Sequence, residues 1–263
     1  MPPRLPLTVV AAQPPCTARD VAANARAHAD TVRRAGARLV VFPELSLTGY
    51  ELDAPVLDPA DPRLTPLVEA CADTGALALA GAPVPLDGAP VPLAGAPVPL
   101  DGGAPLDGGA PLDGGGRSLG VLAVDGTGAW VAYRTMCLAG AEPAHFTAGT
   151  GPGVVAVDGW RLGLAVCRDM GVPEQAARTA ALGIDAYVAG AVDIPEDAAV
   201  QEERARRIGR DHGVPVVVAG FAGPTGGGYD RTAGRSGVWA ADGTALARCG
   251  AASGETARAV LVA

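Results

Sequence analysis

Cys167 stands at the end of the apolar run WRLGLAV (160–166) and directly ahead of a helical stretch. In that place a thiol meets main-chain N–H groups and the positive end of a helix dipole, both of which favour the thiolate. Arg168 adds positive charge beside it. The competing reading is a small buried core residue, as most free cysteines are, and the local context leaves the two open. Glu44 follows the run ARLVVF (37–42) in the same manner. A carboxylate after an apolar strand is costly to bury unless it is paired or put to use, and Pro43 ends the strand so that the side chain leaves the sheet edge. A capping glutamate is the alternative. Two reactive side chains at strand ends are placed where sites in open α/β sheets lie. Glu142 falls in AGAEPAHF with His145 three residues on. That spacing invites a Cys–His pairing, although an isolated loop histidine is more often structural. No G-x-S-x-G elbow, phosphate-cradling glycine loop or metal-ligand spacing occurs. PTGGGYDRTAGRSG (224–237) is glycine-rich but lacks the strand-to-helix context of a P-loop. Neither a cofactor nor a metal is expected.

The elements that must position these residues alternate in kind. Strands are predicted at 5–13, 37–42, 76–81, 118–124, 129–134, 153–157 and 160–166, and then over DAYVAGAV, VPVVVAGF and TARAVLVA. Helices are predicted from Thr17 to about Gly36, over about 63–74 and 172–183, and over PEDAAVQEERARRIGRDHG. In WRLGLAV, Leu162, Leu164 and Val166 share one face while Gly163, Ala165 and Cys167 share the other. SGVWAADGTALARC reads as a hairpin around Asp242-Gly243. Crossover helices mixed with direct hairpins indicate an α/β layered fold with mixed sheets, in one domain spanning 1–263. Between ALALAG and SLGVLAVD lies an insertion at about 81–116, with three near-copies of GAPVPL followed by two of GGAPLD. Its Pro and Gly content argues for an expanded loop rather than a solenoid.

The totals narrow the function classes. With 28 acidic against 20 basic residues, the net charge of −8 argues against a nucleic-acid partner. The RARR run at 204–207 is expected to be a solvated helix face. Every basic residue among the Lys and Arg is arginine; the sequence contains no lysine. Five cysteines without a CxxC pair fit a reducing compartment. No signal-like or membrane-spanning apolar run occurs, so a cytoplasmic protein without a membrane partner is expected.

Four segments together resemble the nitrilase superfamily of carbon–nitrogen hydrolases: VVFPELSLTGYE (40–51), YRTMCLAGAEPAHFTAG (133–149), RLGLAVCRDMGVPEQAA (161–177) and GRSGVWAADGTALAR (234–248). The resemblance implies a four-layer α-β-β-α sandwich, paired into homodimers or larger homo-oligomers, that cleaves a small amide or carbamoyl substrate. It implies Glu44 as general base and Cys167 as the nucleophile forming a thioester. The Arg168 main-chain N–H becomes an oxyanion donor, and Glu142 an accessory carboxylate. The family's oxyanion-binding lysine corresponds to position 135, where this sequence has Thr135. Loss of that cation implies carboxylates of raised pKa and a weakened hydrolase. The alternative is a non-catalytic binding protein or partner subunit on the same fold.

Overall fold

A computed structural model describes residues 4–86 and 116–262. In chain order the elements are β1 (Leu7–Ala12), α1 (Val21–Ala35), β2 (Leu39–Val41), α2 (Thr65–Thr74), β3 (Leu77–Pro85), β4 (Arg117–Asp125), β5 (Gly128–Arg134), β6 (Gly153–Val157), β7 (Trp160–Val166), α3 (Pro173–Ala180), β8 (Ala186–Ala191), α4 (Ala198–His212), β9 (Val216–Gly220), β10 (Gly237–Trp239), β11 (Ala245–Arg248) and β12 (Thr256–Leu261). They form two six-stranded sheets, ordered β12-β1-β2-β3-β4-β5 and β11-β10-β9-β8-β7-β6. The strands at the heart of each sheet, β1-β2-β3 and β7-β8-β9, are parallel and joined through helices, while the flanking strands pair antiparallel.

Strand periodicity explains the layering. Along β1, Val9 and Ala11 enter the core between the sheets, while Val10 and Ala12 pack outward with α1 and α2 residues such as Val32 and Leu67. Along β7, Leu162, Leu164 and Val166 fill the central core and Ala165 joins the second outer core with Ala176 of α3 and Ile208 of α4. Successive side chains of a strand point to opposite faces, so strands buried on both faces feed two cores at once. The result is the four-layer α-β-β-α sandwich with mixed sheets.

Several boundaries differ from expectation. The first helix starts at Val21 with Asp20 as its N-cap, whose carboxylate accepts from Ala23 N; Thr17 instead holds Asn24 through main-chain contacts. The third strand runs on to Pro85, in register with β4 from Gly81↔Val121 to Pro85↔Arg117. The opening of the expected insertion is therefore sheet, and its repeats lie outside the described residues. The RARR segment is only partly solvated: Arg204, Arg206 and Arg207 are half-buried. Arg206 pairs with Glu202 at 2.6 Å and Arg207 donates to the Met170 carbonyl at 2.8 Å. No helix among the described residues is long and apolar enough to cross a membrane.

Candidate active site

Glu44 lies just past β2, in a segment held between the two sheets by two glycines. A Cβ on Gly81 of β3 would come within 2.2 Å of Leu45 N, and one on Gly190 of β8 within 2.8 Å of Glu44 N. Any side chain at either position would push the Glu44 main chain away. Leu45 takes a left-handed φ of 50°, which turns the chain sharply off the strand. The Glu44 side chain is 2% exposed, and its Oε2 has no hydrogen-bond partner among the described residues. Burial, then the neighbouring Glu142, Asp193 and Asp169, push its pKa well up, while the Cys167 thiol, acting as a hydrogen-bond donor, opposes that rise. A small apolar hollow of about 10 Å³ lies beside Glu44 between the sheets, at the limit of what holds a single water.

Cys167 follows β7 and begins a 3-10 turn over Cys167–Gly171. Its φ of 36° is a left-handed conformation that non-glycine residues rarely adopt. The turn is pinned by Asp169, a residue that sequence reasoning missed. This buried carboxylate accepts from Val166 N (2.9 Å), Cys137 N (3.0 Å), Tyr133 Oη (2.9 Å) and Thr135 Oγ1 (3.0 Å). Tyr133 is in turn held by Gln175 of α3, which accepts from Tyr187. Burial lifts the Asp169 pKa to about 6, with the four hydrogen bonds acting in the opposite direction.

The thiol of Cys167 is 3.5 Å from the Val192 carbonyl oxygen. Its surroundings correct the expectation of a stabilised thiolate. Burial first, then Glu44 and Asp193, push the thiol pKa well up. Two carboxylates outweigh the exposed Arg168, and the element after the strand is a short 3-10 turn rather than an α-helix. Asp193, also missed, sits just after β8 with its pKa raised to about 7, chiefly by burial.

Glu142 is buried and fixed at both oxygens, accepting from Tyr50 Oη at 2.6 Å and Ala139 N at 2.7 Å. Burial raises its pKa, and Arg168 is close enough to work against that rise. Thr135 is buried, and its hydroxyl is shared between Asp169 and the Cys137 carbonyl. Tyr133 and Thr135, two apart at the end of β5, face inward together. Arg134 between them turns away, its Nε donating to the Pro85 carbonyl. Arg168 is exposed, in the 3-10 turn that Cys167 begins. The ring of His145 contacts Arg117. Tyr50 and Tyr229, edge to face at 4.9 Å, border the acidic groups, and the Tyr229 hydroxyl feels Cys167, Glu44, Asp193 and Glu142.

The structure thus gathers Glu44, Glu142, Cys167 and Arg168 around one small region and sets the Thr135 hydroxyl against Asp169. Asp169 carried a signal that sequence reasoning could have used: a carboxylate three residues past the end of a largely buried strand. Tyr50 and Tyr229 carried none, because their pairing depends on loops remote in sequence.

Comparison with known proteins places this arrangement. The carbon-nitrogen hydrolase family profile matches residues 7–87 and 120–262. No match was found among curated protein sequences. Among solved structures, a cysteine-to-alanine mutant of the Nesterenkonia AN1 amidase from the nitrilase superfamily aligns with TM-score 0.78 at 20% identity, covering 97% of this chain and 90% of that one. A second structure of that amidase, the same kind of mutant in complex with butyramide, aligns with TM-score 0.78 at 21% identity, covering 97% and 91%. A third shows covalent addition of the acetamide moiety of fluoroacetamide at its active-site cysteine, with TM-score 0.78 at 20% identity and coverage of 97% and 90%. The family match spans most of the sequence and takes in Glu44, Glu142 and Cys167, and on that ground this chain belongs to the carbon-nitrogen hydrolase family.

Proposed function

We propose that this chain hydrolyses small non-peptide amides through a thioester on Cys167. The observation that carries the reading is the unpartnered Oε2 of buried Glu44, next to a thiol held on a strained turn. A buried carboxylate oxygen without a donor is costly, and here its neighbour is a nucleophile. Glu44 takes the thiol proton as sulfur attacks the carbonyl carbon. It returns that proton to the leaving nitrogen, and ammonia departs from a primary amide. Water, deprotonated by Glu44, then cleaves the thioester to give the acid and restore the thiol. The Arg168 main-chain N–H, in the first turn after the strand where such groups have no partner inside the turn, supports the oxyanion. Glu142, fixed by Tyr50, assists proton transfer. The structural likeness to an amidase whose cysteine-to-alanine mutant forms a complex with butyramide supports an aliphatic amide of that size. Ammonia release from a panel of small amides by the full chain tests this. Turnover that vanishes in Cys167→Ala is expected; turnover that persists in that variant excludes the mechanism.

A second reading, a non-catalytic binding protein, is favoured by one observation. Thr135 stands where the family lysine is expected, and its hydroxyl already serves Asp169. If the panel gives no ammonia while Cys167→Ala and the parent chain bind amides equally, this reading replaces the first. The five free cysteines support a reducing compartment. A homodimer or larger assembly, checked by light scattering, belongs to the same family expectation.

A further inference from the structure

The site has acids but no dedicated cation. Glu44, Glu142 and Asp193 are close enough for their charges to act on the same thiol, and the sequence has no lysine to set among them. Thr135 is turned to Asp169. Arg134 donates to Pro85. Arg204 acts on Asp193, and Arg168 acts on Glu142 from an exposed position. Glu44 Oε2, on a side chain 2% exposed, waits without a donor. The two tyrosines at the rim, Tyr50 and Tyr229, present aromatic surface of the kind that attracts ammonium groups.

We propose that the ligand supplies this cation: the site takes short amides that carry a protonated amine, whose ammonium donates to Glu44 Oε2 and faces Glu142 beneath Tyr50 and Tyr229. The inference rests on the amidase reading for its chemistry but not for its binding. An ammonium between the two glutamates favours their ionised forms, so Glu44 is a stronger base toward such a ligand than toward a neutral amide. The amine itself keeps its proton throughout, and the amide bond breaks as described above.

The test compares β-alaninamide, whose alkyl amine is protonated at neutral pH, with propionamide, which lacks only that amine. The full chain is expected to favour β-alaninamide in kcat/KM by at least about tenfold, with the preference collapsing in Glu142→Gln. Equal use of the two amides, or a preference that survives Glu142→Gln, overturns the proposal while leaving the amidase reading intact. Loss of both activities in Arg168→Gln with no loss of β-alaninamide binding assigns the cation to Arg168 and also overturns it. If neither amide is hydrolysed, calorimetry with Cys167→Ala decides. Selective binding of β-alaninamide that weakens in the Glu142→Gln background supports the proposal although the amidase reading has failed. Absence of selective binding overturns both.

Discussion

Glu44 and Asp169 are carboxylates buried at the ends of strands in opposing sheets, and they have been treated in opposite ways. Asp169 receives four donors, from two main-chain N–H groups and two hydroxyls, and its partners tie β5, β7 and α3 into one block. Glu44 keeps an oxygen with none. A satisfied buried acid fixes geometry, and an unsatisfied one holds capacity for a reacting proton or a ligand. The segments differ as well. Steric fit positions Glu44, through Gly81 and Gly190, whereas hydrogen bonds position Cys167, through Asp169.

Breaking the reactive half of this comparison gives the largest effect. Glu44→Gln removes the base, and ammonia release is expected to fall by about 10²–10⁴-fold, with thermal stability little changed because the raised pKa of Glu44 already disfavours its charged form. Loss of fold in that variant would contradict the contrast. Breaking the structural half comes next. Asp169→Asn turns one acceptor into a donor against main-chain N–H groups, and denaturant unfolding should show a loss of roughly 1–3 kcal/mol. Gly81→Ala, which forces a Cβ against Leu45 N, is expected to cost a similar roughly 1–3 kcal/mol. It should also lower activity by displacing Glu44, whereas activity retained at full level would show that the glycine does not seat the base.

Thr135→Lys sharpens the comparison. It supplies a cation near both acids and is expected to raise propionamide hydrolysis while narrowing any preference for a charged amide. An equally inert and properly folded variant contradicts the idea of a merely absent cation. The smallest effect is in pH. Asp169 and Asp193 have folded pKa values of about 6 and about 7, above the ordinary 3.8. Raised acids hold their protons more tightly when folded, so their contribution is full below the unfolded value and is lost as pH rises through about 6 to 7. Melting should occur several degrees higher at about pH 5 than at about pH 8, and Asp193→Asn should flatten the difference.

Much of this was legible in the sequence, for identifiable reasons. The strand β6 and the strand β7 fall where the apolar pattern put them, because alternation is a local property. Glu44 and Cys167 were visible as polar residues closing buried runs. The thiol's environment was not visible, since the acids that raise its pKa arrive from β2, the turn at Glu142 and the end of β8. The role of Asp169 was hidden for a similar reason: its donors Cys137 and Thr135 are remote in sequence. The glycine seat of Glu44 depends on close approach of two sheets, which no periodicity encodes.

The central claim is that Glu44 and Cys167 act as one base–nucleophile pair. Acid-quenched intact-mass analysis of the full chain during turnover of a small amide tests it most directly. An acyl adduct on the Cys167 peptide, absent in Cys167→Ala and formed far more slowly in Glu44→Gln, is the result expected. An adduct that forms at the same rate without the Glu44 carboxylate, or ammonia release with no adduct in any quench, would contradict the account.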